Sequence, residues 1–276
     1  MLGVWLARIA ALDPTGTGLV DQERVVEEGS KAADHLLTIA IRALDYCMPV
    51  HIEYGDYLSA LLTADHEVCP DDSHYGYRTH LRNAFAAFGV QPASTGAAAE
   101  TGIWLPPERE PNFDRNHFES LCRDRDEVFR FIWENRPEVG VTEDVYTRVL
   151  SVRPCLRIGP EGFALREMVA EYLQCVVIEA RQLNRFKVRR PDDMPLDVPV
   201  LLQGGGTLIF DEFGRLKFNI RNRLNDTEKQ SRRIAYMWRE SYIRHDGVNA
   251  ARGRGFAELH RARALGKVSR FSEEWY

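Results

Sequence analysis

The sequence predicts an α+β protein, mainly α. An amino-terminal helical bundle is followed by a small β-α-β-β domain and a carboxy-terminal helix. Three observations predict it. Apolar residues recur at helical spacing through residues 1–90. Proline, glycine and alanine then crowd residues 91–116, where no regular period survives. After Asp144 short β-type runs alternate with turn residues. The expected organisation is therefore a bundle over 1–90, a linker over 91–116, a small α+β domain over 117–243 and a basic tail over 244–276.

Leu2, Trp5, Leu6, Ile9 and Ala10 mark a first helix with no capping residue ahead of it, as though it were cut in its middle. Asp13-Pro14-Thr15-Gly16-Thr17-Gly18 breaks it. A long helix is expected from Gln22 to Cys47, with Val25, Val26, Gly29, Ala33, Leu36, Leu37, Ala40, Ala43, Leu44 and Cys47 on one face, and Pro49 forbids its continuation. A third helix spans Asp56 to Glu67, burying Tyr57, Leu58, Leu61 and Leu62. Pro70-Asp71-Asp72-Ser73 turns the chain into a fourth, Tyr75 to Phe88, which buries Tyr77, Leu81, Ala84, Phe85 and Phe88. Gly89 stands where a left-handed cap is wanted.

Beyond the linker, Phe118, Leu121, Cys122, Phe129, Ile132 and Trp133 describe one amphipathic helix ending before Pro137. Val145 to Ile158 reads as a strand, and Gly159-Pro160-Glu161-Gly162 as a turn. Leu165, Met168, Val169, Tyr172, Leu173, Val176, Val177, Ala180 and Leu183 have helical spacing, so a helix is expected there. Val198–Gln203, Thr207–Phe210 and Arg215–Ile220 are short strands, the last two joined by an Asp211-Glu212-Phe213-Gly214 hairpin. Ile234, Ala235, Trp238 and Tyr242 mark the closing helix.

Composition narrows the function classes. With 44% hydrophobic and 28% charged residues the chain is an ordinary globular one. No apolar run approaches the roughly 20 residues that cross a bilayer, and the short apolar opening lacks the basic leader of a secretory signal. The five cysteines, Cys47, Cys69, Cys122, Cys155 and Cys175, form no CxxC pair, which fits reduced thiols and a cytoplasmic location. The net charge of −5 conceals an asymmetry, since residues 213–276 hold 15 Lys+Arg against 7 Asp+Glu. Such a segment either meets an anionic partner or folds back on its own acidic domain.

The chemistry-bearing motifs are sparse. Zinc hydrolysis calls for two His one helical turn apart with a Glu between them, and His35, His51, His66, His74, His80, His117, His245 and His260 contain no such pair. His66, Cys69, His74 and His80 lie close in sequence but match no common ligand spacing. Asp71-Asp72 is better explained by turn chemistry than by calcium. Gly204-Gly205-Gly206-Thr207 leads into a strand and lacks the Lys-Ser/Thr of a phosphate loop, so a turn or a close backbone approach accounts for it. There is no Gly-x-Ser-x-Gly, and no cysteine stands out as a nucleophile. The arginines of the tail are interleaved with Tyr236, Trp238, Tyr242 and Phe256, a composition that suits single-stranded nucleic acid. Core packing of 238 and 242 beside Ile234 explains these aromatics first. No catalytic, cofactor-binding or metal-ligating residue is therefore assigned.

One family resemblance is carried by Ala43-Leu44, Pro49, Tyr57-Leu58, Ala60, Ala64-Asp65, the Asp71-Asp72 turn, Ala84-Phe85 and Phe88-Gly89-Val90. This pattern resembles the carboxy-terminal helical segment of bacterial thermolysin-like zinc metallopeptidases, the gluzincins. The GGGTLIFDEFGRLKFNI hairpin of residues 204–220 is similar to one in large gluzincin-like proteins. The resemblance implies a helical bundle like the carboxy-terminal domain of thermolysin. It also implies that the zinc ligands and catalytic Glu would precede the bundle, so none is carried onto this chain.

Two functions are expected from these readings. The first is the non-catalytic carboxy-terminal half of a metallopeptidase-like protein, binding zinc only where another chain supplies the His-Glu-x-x-His segment. Such a half would have that segment as partner, and its exposed first helix would favour self-association. The alternative is a stand-alone interaction module binding nucleic acid or an acidic protein through its Arg-rich carboxy-terminal region. Neither reading involves a membrane.

Overall fold

The computed structural model describes residues 2–13, 16–72, 75–93, 100–113, 118–158, 164–240, 243–244 and 247–248. The expected turn at 159–162, His74, part of the linker and the tail beyond 248 lie outside the described residues. Helices α1 (Leu2–Leu12), α2 (Gln22–Arg42), α3 (Tyr54–Val68) and α4 (Tyr77–Ala86) come first, with a 3₁₀ segment, Ala43–Tyr46, closing α2. Short helices α5 (Phe118–Leu121), α6 (Arg125–Glu134) and α7 (Arg136–Val139) precede strands β1 (Thr147–Ile158) and β2 (Ala164–Glu179). A second 3₁₀ segment, Ala180–Phe186, leads to β3 (Pro199–Phe210), β4 (Leu216–Asn222), α8 (Thr227–Arg239), β5 (Ile243–Arg244) and β6 (Gly247–Val248). The α+β class holds: helices accompany a four-stranded antiparallel sheet of order β1-β2-β3-β4.

The chain falls into two compact units. Unit 1 comprises Met1–Gln174 and Gly204–Arg223, and unit 2 comprises Cys175–Gln203 and Leu224–Tyr276. The backbone passes from one to the other inside β2 and again inside β3.

In unit 1 both faces of the sheet are covered. On one side Ile39, Ala43, Tyr46, Met48, Ala60, Leu61 and Ala64 pack against Val169, Ile209, Phe218 and Ile220. On the other, Leu121, Val128, Phe131, Ile132 and Val139 pack against Val149, Met168, Ala170, Tyr172, Leu208 and Phe210. Helices of 1–90 and strands of 117–243 thus share one core. Burial of large apolar side chains drives this, at roughly 1.5–3 kcal/mol each.

Local chemistry explains most boundaries. Asp13 ends the α1 turn by accepting from Thr17 N at 3.0 Å and Gly18 N at 2.6 Å. Asp21 caps α2 by accepting from Glu23 N at 3.0 Å. Asp72 accepts from Tyr77 N at 2.6 Å and Arg78 N at 2.9 Å, so the Asp71-Asp72 pair starts α4. Gly89, at φ 73°, closes α4 while Val90 N reaches back to Phe85 O at 3.1 Å. In the β3–β4 hairpin Asp211 accepts from Phe213 N and Arg215 N, and Gly214 takes φ 83°.

Five expectations are corrected. The helix expected over Leu165–Leu183 is strand β2 followed by a 3₁₀ segment, so the β-α-β-β pattern is four consecutive antiparallel strands. Between the two covered faces, neighbouring residues of β2 point into opposite cores, and apolar pairs such as Met168/Val169 imitate helical spacing. The strands expected at 198–203 and 207–210 are one continuous strand, β3. The single helix expected over 118–133 is split where Asp124 caps α6 by accepting from Asp126 N at 2.9 Å. Finally, the predicted apolar face of α2 is too wide. Val26, Leu37 and Leu44 are about 60% exposed, whereas Ala32, Ile39 and Ala43 are buried. Phe88, expected inside, is 87% exposed beyond the end of α4.

Unit 2 has its own core of Ile178, Leu183, Val188, Met194, Val198, Val200, Leu202, Leu224 and Ile234. Along β3, residues 199–203 alternate between half-buried and buried. Within unit 2 Ala180 N donates to Val198 O at 2.8 Å and Arg181 N to Leu196 O at 2.9 Å. Asp226 caps α8 by accepting from Lys229 N at 3.0 Å, and buried Gln230 donates to Gln203 O at 2.6 Å. No described helix is long and apolar enough to cross a membrane.

Candidate functional site

The residues singled out from sequence do not converge. His66 on α3 is half-buried, and Cys69 is exposed with its thiol donating to Asp71 O at 3.3 Å. Among the described residues no three His, Cys, Asp or Glu side chains form a group able to hold a metal ion. Burial pushes the thiols of Cys47, Cys69 and Cys122 up, that of Cys47 to about 12, the reverse of an activated nucleophile. The triple glycine lies in the middle of β3. A Cβ on Gly205 would stand 2.4 Å from Tyr172 O, and one on Gly206 2.7 Å from Ile220 O. Gly205 and Gly206 thus let strands approach one another.

Unit 1 holds two polar clusters that the sequence did not reveal. Asp65, 1% exposed on α3, lies 2.6 Å from His35 Nε2 of α2 and accepts from Arg78 Nη1 of α4 at 2.8 Å. The His35 ring rests on Tyr77, with centroids 4.2 Å apart. A carboxylate orienting an imidazole is half of a nucleophile-activating arrangement. Yet His35 makes its hydrogen bond to Asp65, with no hydroxyl or thiol joined to it among the described residues. The cluster pins α2, α3 and α4 together.

The second cluster centres on Glu167 of β2, whose side chain is fully buried. Tyr46 Oη donates to its two oxygens at 3.1 and 2.9 Å, and Lys217 Nζ lies 3.0 Å from Oε1 while also pairing with Glu67. Beside it Arg153 bridges Asp45 at 2.8 Å and Glu171 at 3.3 Å. Burial opposes the Arg153 charge, but these two hydrogen bonds hold its pKa above the ordinary value. A buried charge persists only with such partners, which suits a role in joining helix to sheet.

Unit 2 differs in kind. Its sequence carries 16 Lys+Arg against 11 Asp+Glu, while the rest of the chain carries 20 against 30. Five of its cations fall within Arg181–Arg190, a decapeptide without any acid. Two of the five are engaged. Arg181 pairs with Glu179 at 2.5 Å, and Arg190 donates to Pro191 O and Met194 O. Arg185, Lys187 and Arg189 are exposed and form no ion pair among the described residues. Lys187 sits at φ 57°, in the left-handed conformation that ends the 3₁₀ segment.

This segment is tied to α8, since Arg189 N donates to Ser231 Oγ at 2.9 Å. On α8, Lys229, Arg232, Tyr236 and Arg239 follow at i, i+3, i+7 and i+10, which is one helical stripe. Arg232 pairs with Glu228 at 3.0 Å, and Arg239 pairs with Glu240 at 3.1 Å while lying 5.7 Å over the Tyr236 ring. Arg233 turns inward instead, donating to Leu201 O at 3.1 Å, and burial lowers its pKa to about 10. Sequence reasoning placed the basic surface in the tail and missed residues 181–190. The signal was present as a ten-residue window with five cations and no acid.

Comparison of the chain with known protein families, curated proteins and solved structures finds no match.

Proposed function

We propose that this chain acts by binding, and that the basic face of unit 2 takes up an anionic partner. One observation carries the reading: three adjacent exposed cations, Arg185, Lys187 and Arg189, have no carboxylate partner among the described residues and lie on a segment bonded to α8. Exposed cations of a surface are ordinarily interspersed with acids. A run left unneutralised attracts polyanions and releases their counterions on contact.

The test is binding of the purified protein to polyphosphate, single-stranded RNA and poly-glutamate across a salt series. At least one should bind with an affinity that falls steeply with salt. For a single strand, replacing Arg185, Lys187 and Arg189 together by Glu should flatten the slope of log K against log salt by about 2, at ~0.7 for each phosphate no longer neutralised. Absence of salt-dependent binding to all three ligands would remove this reading.

A second reading is that unit 1 is a non-catalytic wall of a metallopeptidase-like assembly in the cytoplasm, its helices arranged as in the thermolysin carboxy-terminal domain. It is favoured by the segment 54–90, which forms the helix–turn–helix that the family resemblance implies, with Asp72 starting α4 and Gly89 ending it. On this reading the chain alone copurifies without zinc and leaves casein intact. Stoichiometric zinc together with chelator-sensitive cleavage would contradict it.

A further inference from the structure

We infer that the anionic partner of unit 2 is single-stranded nucleic acid, with Tyr236 as the platform on which an unpaired base stacks. This rests on the polyanion-binding reading above and adds to it the chemistry that would choose among anions. The α8 stripe runs ten residue steps from Lys229 to Arg239, about 15 Å at the ~1.5 Å rise of a helix.

The stripe alternates charge with an aromatic surface. Arg232 and Arg239 flank Tyr236, whose side chain is half exposed, and the Arg239 guanidinium lies over its ring. A phosphate chain alone, or an acidic peptide, has no use for an exposed ring set between two arginines. An unpaired base has a π-face to lay on it, and base–aromatic stacking tolerates any base. A duplex withholds its bases, because each is already stacked and paired.

The existing ion pairs do not obstruct this. Arg232–Glu228 and Arg239–Glu240 are exposed pairs on one helix, and such pairs are weak enough to be exchanged for phosphate. Arg189, whose backbone N donates to Ser231 Oγ, adds a further exposed cation on the segment bonded to α8. Arginine rather than lysine predominates at these positions, which favours bidentate contact with phosphate oxygens.

The experiment uses the full chain and compares Tyr236→Ala and Tyr236→Phe with the parent, by fluorescence anisotropy on labelled 12-mers of single-stranded RNA and DNA, with duplex DNA, polyphosphate and poly-glutamate as competitors at matched charge. The single strands should compete best. Y236A should weaken them about tenfold while leaving polyphosphate unchanged, and Y236F should restore parental binding because the ring is kept. Equal loss for polyphosphate, no loss for the single strands, or preference for duplex or poly-glutamate would overturn the inference while leaving polyanion binding intact. Failure of every ligand would instead remove the polyanion reading itself. The RNA and DNA arms distinguish the two sources of the same chemistry. Because residue 236 lies on an exposed helix face, far-ultraviolet dichroism should be unchanged in both variants.

Discussion

A methyl group on Gly205 would meet Tyr172 O at 2.4 Å, inside any permissible contact, and the carbonyl it meets belongs to a neighbouring strand. Replacing Gly205 by Ala therefore forces β2 and β3 apart. Urea unfolding of Gly205→Ala should show a loss of at least ~2 kcal/mol, well beyond the few tenths typical of a surface change. Gly16, exposed in a loop with nothing within 4 Å of an added Cβ, gives the comparison. Its φ of 66° means that Ala there costs only the ~1 kcal/mol of a left-handed residue. If Gly205→Ala proved no worse than Gly16→Ala, the close approach of the strands would not hold. From the sequence a turn and a close approach were both open for this triple glycine, and the neighbour that decides between them is remote in the chain. The same limit applies to Asp65. Nothing near it in sequence announces that His35, thirty residues away, and Arg78 will surround it.

At the scale of elements, helices were legible and the central strand was not. α1, α3 and α4 appear where apolar spacing and turn residues put them. β2 leaves the wrong period. Its Met168, Ala170 and Tyr172 enter one core and Val169 the other, so apolar residues fall in pairs roughly four apart. The Val176-Val177-Ile178 run was the local hint of a strand, since β-branched residues favour extended backbone. A peptide of residues 164–186, freed from both cores, should follow its local pattern. Its circular dichroism should show more helix than strand on adding modest trifluoroethanol. A β-sheet spectrum would show that β2 is written in its own sequence rather than imposed by its neighbours.

For the molecule as a whole, charge is divided where the fold is. Unit 2 carries a balance of +5 while the remainder carries −10, a separation that a net charge of −5 hides. The sequence pointed to a basic carboxy-terminal region, and that much agrees with the placement of α8 in unit 2. It did not show that residues 181–190, some forty positions upstream of the stripe on α8, belong to the same unit. Bringing two separated basic segments into one unit is a property of chain topology. The salt dependence expected of unit 2 is its measurable consequence.

What the sequence determined by itself was short-range: helices α1, α3 and α4, the cap at Gly89, the turn at Asp71-Asp72, the Asp211–Gly214 hairpin and the mixed α+β class. Each depends on contacts within a few residues, where backbone preference and side-chain capping act directly. The tertiary structure alone decided that residues 164–179 are a strand, that Gly205 and Gly206 serve strand packing, and that Asp65 and Glu167 are enclosed by distant partners. It also brought the basic segment 181–190 and α8 into one unit. These outcomes depend on burial on two faces at once, and burial is set by residues that the local sequence does not contain.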